Sequence, residues 1–137
     1  MASIPGSING VMVDLAPSAI GIGVDQRLVD GLSHCIRSNV DIGYPLQAIY
    51  ISSAMDSHQS PSRHVPGKAV DISRINGKYI ADGWNANAEV TAIVKAIQDA
   101  FESFPLRREN FGPHLQNKSG QPFSVGGHRD HIHLSVD

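Results

Sequence analysis

Two stretches of the chain place apolar residues on one side of a helix, because these residues recur every three or four positions. The first stretch covers about residues 24–40 and the second about residues 86–104. Their apolar positions are Leu28, Val29, Leu32, Cys35, Ile36 and Val40 in the first, and Val90, Ile93, Val94, Ile97, Phe101 and Phe104 in the second. Asp25 can cap the first helix, and Asn85 or Asn87 can cap the second. The pattern therefore predicts two main amphipathic helices.

Short segments between and after these helices predict β-strands. Residues 46–54, 68–73 and 130–136 alternate apolar and polar side chains, which is typical of strands with one buried face. Asn76-Gly77 is a strong signal for a two-residue hairpin turn. Residues 106–127 predict a loop that contains a strand.

The N-terminal residues differ in composition from the rest of the chain. Residues 1–23 are rich in Gly, Pro, Ser and Ala, so they predict an arm or loop in which Val11–Leu15 is a candidate strand. Residues 24–137 are then one domain, which agrees with the total length of 137 residues. Strands and helices do not alternate regularly, so we predict an α+β fold in which a small antiparallel sheet packs against the two helices.

Composition and charge exclude several classes of function. The net charge of −2 gives no reason to expect binding to nucleic acid or to anionic lipid. The single cysteine, Cys35, excludes an intramolecular disulfide and a four-cysteine zinc site. No apolar run approaches the ~20 residues of a membrane span, and no signal peptide is recognisable. We therefore expect a monomer that is made in a cytoplasm, with no membrane anchor and no nucleic-acid partner.

The last predicted strand carries the most suggestive polar residues. Side chains alternate along a strand, so His131 and His133 point to one face while Ile132 and Leu134 point into the core. Two imidazoles on one face suit a shared metal ion, or a ligand next to a base. The alternative interpretation is a solvated strand face. His128 follows two glycines, and we interpret it as a loop or substrate-facing residue.

A second polar group lies in the segment before the hairpin. His64 precedes a turn signal, and Asp71 lies on the following strand between core positions. A carboxylate there is costly to bury unless it is paired or bound to a metal. Asp71 either faces solvent, pairs with Arg74 or Lys68, or shares one cation with His64. With His133 added, two imidazoles and one carboxylate make a zinc site that keeps a fourth position open for water.

These two segments together resemble a known family. The pattern S-x-H-x-x-G-x-A-x-D-I at residues 62–72, followed by D-H-I-H-L at 130–134, is similar to the LAS zinc peptidases, a group named for lysostaphin, D-alanyl-D-alanine peptidases and sonic hedgehog. The closest likeness is to the D-Ala-D-Ala carboxypeptidase branch, which includes phage endolysins that act as L-alanyl-D-glutamate peptidases. The resemblance covers about residues 46–136. It implies that His64, Asp71 and His133 hold one Zn²⁺ ion on one face of the sheet.

The resemblance also implies two catalytic candidates. In the carboxypeptidase branch an acidic residue three positions before the last ligand is the general base, and Asp130 occupies that position. In other members the first histidine of the His-x-His pair assists catalysis, and that residue is His131. Either group could take a proton from water and pass it to the leaving amine. The chemistry of the two groups does not separate them, and we favour Asp130 as the base, with His131 stabilising the oxyanion or the substrate.

The implied activity is hydrolysis of an amide bond in the peptide stem of bacterial peptidoglycan. Many relatives bind a substrate carboxylate through an arginine that follows the first strand, but residues 52–57 read S-S-A-M-D-S. Either Arg63, Arg74 or Arg129 replaces this arginine, or the substrate presents no free C-terminus. The missing arginine therefore favours an endopeptidase, of phage endolysin or virion-associated type, over a carboxypeptidase. Such an enzyme is made in the host cytoplasm and reaches the cell wall after release, or it is carried by the particle. The alternative is a catalytically inactive, hedgehog-like zinc-binding interaction domain.

Overall fold

The computed structural model describes residues 1–54 and 67–137, and the predicted ligand His64 lies outside these ranges. The described residues form a mixed α+β fold with three α-helices and a mostly antiparallel sheet. The helices are α1 (Gln26–Cys35), α2 (Ile80–Gly83) and α3 (Ala88–Phe101). The strands are β1 (Ala2–Ser3), β2 (Ser7–Ile8), β3 (Val11–Leu15), β4 (Gly23–Val24), β5 (Ala48–Ser53), β6 (Ala69–Ile75), β7 (Lys78–Tyr79), β8 (Arg107–Phe111), β9 (Gln116–Lys118), β10 (Gln121–Pro122) and β11 (Ile132–Val136).

The main sheet brings distant parts of the chain together. Its strand order in the described residues is β10-β9-β8-β11-β6-β5-β3-β2, with β7 paired to β6. The pairs are antiparallel except β3 with β5, which is parallel. A separate small pair joins β1 and β4. The C-terminal strand β11 therefore lies between β6 and β8, near the middle of the sheet.

The long helices begin at the capping residues that the sequence predicts. The Asp25 side chain accepts a hydrogen bond from the backbone N–H of Arg27 at 2.9 Å, and Asn87 accepts one from Val90 at 3.0 Å. Each bond satisfies an amide of the first turn that has no partner inside the helix. Both predicted caps are confirmed, with Asn87 rather than Asn85 at the second helix.

The first helix is shorter than the predicted range of about 24–40. It ends at Cys35 because Ile36 has an extended backbone, with φ −97° and ψ 101°. The side chain of Ile36 is nevertheless fully buried in the same core as Leu28 and Leu32. The apolar spacing continued past the helix because those positions face the core, and a segment can face the core without being helical. The second helix, predicted over about 86–104, spans Ala88–Phe101.

The N-terminal residues contain more structure than the predicted arm or loop. The candidate strand Val11–Leu15 is confirmed, and it pairs in parallel with β5. Val11 and Val13 are buried in the main core, whereas Met12 and Asp14 are exposed. The pairing with β5 places this strand in the main sheet, and the buried residues of the N-terminal segment belong to the same hydrophobic core as the rest of the described chain.

Two-residue turns connect two of the hairpins. Asn76 and Gly77 have φ values of 51° and 78° and join β6 to β7, as the sequence predicts. Ser119 and Gly120, with φ values of 51° and 81°, join β9 to β10. Both residues of such a turn need positive φ, which glycine adopts without strain. The second hairpin lies in residues 106–127, where the sequence predicts only one strand, because Gln116–Lys118 is polar throughout and lacks an apolar alternation.

The core lies between the sheet and the two long helices. Helix α1 contacts β11 and α3, and α3 contacts β6 and β8. The side chains of Ile72, Ile132 and Leu134 are fully buried in this layer. The intervening residues of the same strands therefore point to the opposite face of the sheet. None of the helices in the described ranges is long and apolar enough to cross a membrane.

Candidate functional site

Three neighbouring strands contribute polar side chains to the sheet face away from the helices. Asp71 lies on β6, His133 on β11 and Glu109 on β8. The strand register pairs His133 directly with Asp71 on one side and with Phe111 on the other. Because Ile72 points into the core, Asp71 points away from it. The cluster therefore occupies the middle of the outer sheet face.

His133 is hydrogen-bonded at both ring nitrogens. Its Nδ1 lies 2.8 Å from the Asp71 carboxylate and its Nε2 lies 2.9 Å from the Glu109 carboxylate. Glu109 also accepts a hydrogen bond from the hydroxyl of Ser135 at 3.0 Å. His133 as a whole residue is only 5% exposed. The imidazole is thus held between two carboxylates that belong to the strands on either side.

These contacts change the protonation of both partners. Burial lowers the pKa of His133, but the hydrogen bonds to Asp71 and Glu109 outweigh burial and raise this pKa to about 9. Burial raises the pKa of Glu109, but the hydrogen bond from His133, the charge of His133 and the hydrogen bond from Ser135 together outweigh burial and bring this pKa to about 2. The two carboxylates beside it therefore favour the protonated form of the His133 imidazole.

His131 and Asp130 form a second carboxylate–imidazole pair beside the first. Nδ1 of His131 lies 2.6 Å from Oδ1 of Asp130, and Nε2 of His131 lies 3.8 Å from Oδ1 of Asp71. The Asp130 side chain is 66% exposed. The hydrogen bond to His131 lowers the pKa of Asp130. As the alternation predicts, His131 and His133 approach the same carboxylate, while Ile132 between them is buried.

Aromatic rings and a third histidine border the cluster. The Phe111 ring stacks on His133 with centroids 5.8 Å apart, and Phe123, which is 42% exposed, stacks on Phe111 at the same distance. The His128 ring lies 5.1 Å from His131 and 5.6 Å from His133. Burial, followed by the proximity of these two histidines, lowers the pKa of His128. His128 therefore faces the site, as a substrate-facing residue would.

Asp71 is not an ion-pair partner of the nearby basic residues in the described part of the chain. Its contacts are with His133 and His131, so the predicted alternative of pairing with Arg74 or Lys68 is wrong. Arg74 instead has its guanidinium between two aromatic rings, 4.1 Å from the centre of Tyr50 and 4.5 Å from that of Tyr79.

The donor chemistry of the cluster fits part of the predicted zinc site. Asp71 Oδ1 and His133 Nδ1 face each other, and carboxylate oxygen and imidazole nitrogen are both zinc ligands. The other ring nitrogen of His133 contacts a carboxylate, as is usual for a metal-binding histidine. Within residues 1–54 and 67–137, no three His, Cys, Asp or Glu side chains are grouped so that they could hold a metal ion. Two of the three predicted ligands are therefore adjacent, and the third lies outside the described residues.

Glu109 and Ser135 belong to the site, but the sequence does not predict them as site residues. They belong to a polar stretch, R-R-E-N-F, and to the end of the last strand. The one available signal was the alternation that puts Glu109 on the same side as Phe111. Nothing local indicates that β8 pairs with β11, and this pairing is what brings Glu109 to His133.

Comparison with known proteins identifies no relative of this chain. No protein-family model, curated protein or solved structure matches the chain. A proposal for its function therefore depends on the geometry of the site and on the motif resemblance.

Proposed function

We propose that this chain is a zinc-dependent peptidoglycan peptidase, an endopeptidase of phage endolysin or virion-associated type. It would hydrolyse an amide bond in the cell-wall peptide stem with one Zn²⁺ ion. The observation that carries the proposal is the direct pairing of Asp71 with His133 on an outer sheet face, with a second histidine, His131, beside the same carboxylate oxygen. The motif resemblance supplies His64 as the third ligand.

The chain's own residues supply the proton transfer. When bound, zinc would polarise the scissile carbonyl and make water more acidic. His131 then accepts a proton from the attacking water and delivers it to the leaving amine nitrogen. The water oxygen forms the new C–O bond as the C–N bond breaks, so the products are a carboxylate and an amine. The position of its Nε2, 3.8 Å from Asp71, supports this role for His131.

Asp130 would act by orienting His131. Its carboxylate lies 2.6 Å from Nδ1 of that ring, which directs the other nitrogen toward Asp71. A carboxylate in this place holds the imidazole in one orientation and stabilises the imidazolium that forms during proton transfer. This contact supports a different division of roles from the one expected above, with His131 as the base and Asp130 as the group that orients it.

The test combines metal analysis with digestion of purified sacculi. The wild-type protein is expected to contain zinc and to release muropeptides with new amine termini, measured by mass spectrometry. His133→Ala should lose both zinc and activity. His114→Ala is the matched control, because this histidine hydrogen-bonds Asp99 on α3 and is not part of the cluster.

The possible outcomes distinguish a zinc peptidase from a catalytically inactive zinc-binding domain. Stoichiometric zinc without any new amine terminus would favour the hedgehog-like interaction domain. New amine termini in a metal-free, chelator-treated protein would contradict the zinc mechanism. Absence of both zinc and cleavage would refute the proposal as a whole.

A further inference from the structure

Glu109 and Ser135 form a small hydrogen-bonded unit behind the ring of His133. Glu109 Oε1 contacts both His133 Nε2, at 2.9 Å, and the Ser135 hydroxyl, at 3.0 Å. The hydroxyl in turn accepts a hydrogen bond from the backbone N–H of Glu109 at 2.9 Å. Ser135 is almost completely buried. The carboxylate is therefore fixed by its own backbone, through a neighbour on the adjacent strand.

Aromatic stacking alone does not determine which nitrogen of His133 faces Asp71. The Phe111 ring lies nearly parallel to the imidazole, with 17° between the planes, and this holds the plane of the ring. A half-turn of the imidazole about its bond to Cβ keeps that plane but exchanges nitrogen for carbon at the positions beside each carboxylate. The turned ring would lose the hydrogen bonds to both Asp71 and Glu109.

The Glu109 carboxylate is partly buried, so its loss of hydration must be compensated by hydrogen bonds. The Glu109 side chain is 12% exposed, and removing such a group from water costs free energy unless it is hydrogen-bonded. Asp71 cannot hold the ring alone if it also serves as a ligand, because its Oδ1 would then be engaged by the metal. Glu109 is the acceptor that remains for the far side of the ring.

We propose that Glu109, supported by Ser135, is a positioning residue that keeps Nδ1 of His133 directed at Asp71. This inference rests on the proposed function, because it assigns the pair to the zinc site. Loss of such an outer carboxylate commonly weakens metal affinity ~10–100-fold. Glu109→Ala should show a loss in that range. Glu109→Gln should lose less, because the amide oxygen can still accept a hydrogen bond from Nε2.

The experiment measures zinc affinity, by competition with a chromophoric chelator, and the visible absorption spectrum of the cobalt-substituted protein. The variants are Glu109→Ala, Glu109→Gln and Ser135→Ala. Asp99→Ala is the matched control, because Asp99 also contacts Nε2 of a histidine at 2.9 Å, on α3 and away from the cluster. Wild-type zinc affinity and an unchanged cobalt spectrum are expected for this control alone.

Each outcome bears on one hypothesis. Wild-type affinity and spectrum in Glu109→Ala would overturn the positioning role while leaving the proposed function intact. Failure of the wild-type protein to bind zinc would overturn the proposed function and, with it, this inference. If Glu109→Ala does not fold, as judged by its thermal transition, the positioning role is tested by comparing the zinc affinities and cobalt spectra of Glu109→Gln and Ser135→Ala with those of the wild type. Equal affinities and spectra in those three proteins would then contradict the proposal.

Discussion

Oδ1 of Asp71 lies 2.8 Å from Nδ1 of His133, across two strands that pair these residues directly. The two residues are 62 positions apart in the chain. Their contact joins the two motifs that suggested a zinc site, and most of the functional predictions depend on it.

Replacing Asp71 tests this contact most directly. Asp71→Ala removes the carboxylate that faces His133, so zinc content should become substoichiometric and peptidase activity should fall at least ~100-fold. The measurements are metal analysis of the purified protein and muropeptide mass spectrometry. Ser73→Ala, at a partly buried position further along the same strand, is the control. Full zinc occupancy in Asp71→Ala would show that Asp71 is not a ligand.

Replacing His131 and Asp130 separates proton transfer from metal binding. His131→Ala should keep zinc and lose ~10²–10⁴-fold in kcat, because the group near the reacting atoms is gone. Asp130→Asn should keep zinc, and its kcat should fall less than that of His131→Ala, because the base His131 is still present. Steady-state kinetics on a synthetic stem peptide provide the comparison. A larger loss in Asp130→Asn than in His131→Ala would make Asp130 the base, and loss of zinc in either variant would make that residue a ligand.

The cap of α1 predicts a pH-dependent contribution to stability. The hydrogen bond from the Arg27 side chain is the main cause that lowers the pKa of Asp25 to about 2. Because the folded value lies below the unfolded value of about 3.9, the contribution is complete above about pH 4 and is lost as the pH falls toward 2. Asp25→Ala should lower the free energy of unfolding by about 1 kcal/mol near neutral pH.

Denaturant unfolding of the wild type and of Asp25→Ala across this pH range checks that prediction. The two proteins should differ less in their free energy of unfolding below about pH 4, because Asp25 is then protonated first in the unfolded state and, at lower pH, in the folded state. Asp25→Asn is the matched variant, since asparagine also caps helices but carries no charge for Arg27. A constant difference down to about pH 2 would contradict this account.

The thiol of the single cysteine should be unreactive toward disulfide reagents in the folded protein. Cys35 is fully buried, and burial is the main cause that raises the pKa of its thiol to about 12. The thiolate is the reactive form, so a disulfide reagent near pH 8 should label the native protein only at the rate of unfolding. The reaction should become rapid and stoichiometric in denaturant. Rapid labelling of the native protein would show that the C-terminal end of α1 opens locally.

Local patterns predicted the elements that depend on neighbouring residues. The caps at Asp25 and Asn87, the turn at Asn76-Gly77 and the strand at Val11–Leu15 all follow from short-range preferences, and all four are present. The errors have a common origin. The predicted first helix runs past Cys35 because the buried Ile36 fits the helical spacing of apolar residues, although its backbone is extended. The β9–β10 hairpin was missed because its strands carry no apolar alternation.

The sequence by itself determined that the two histidines of the last strand share one face. Alternation along the last strand places His131 and His133 together, because successive residues of a strand point to opposite sides. Only the tertiary structure decided which side chains these histidines contact. The insertion of β11 between β6 and β8 places Asp71 on one side of His133 and Glu109 on the other. This strand order depends on pairing between segments that are far apart in the chain, and no short stretch of sequence contains that information.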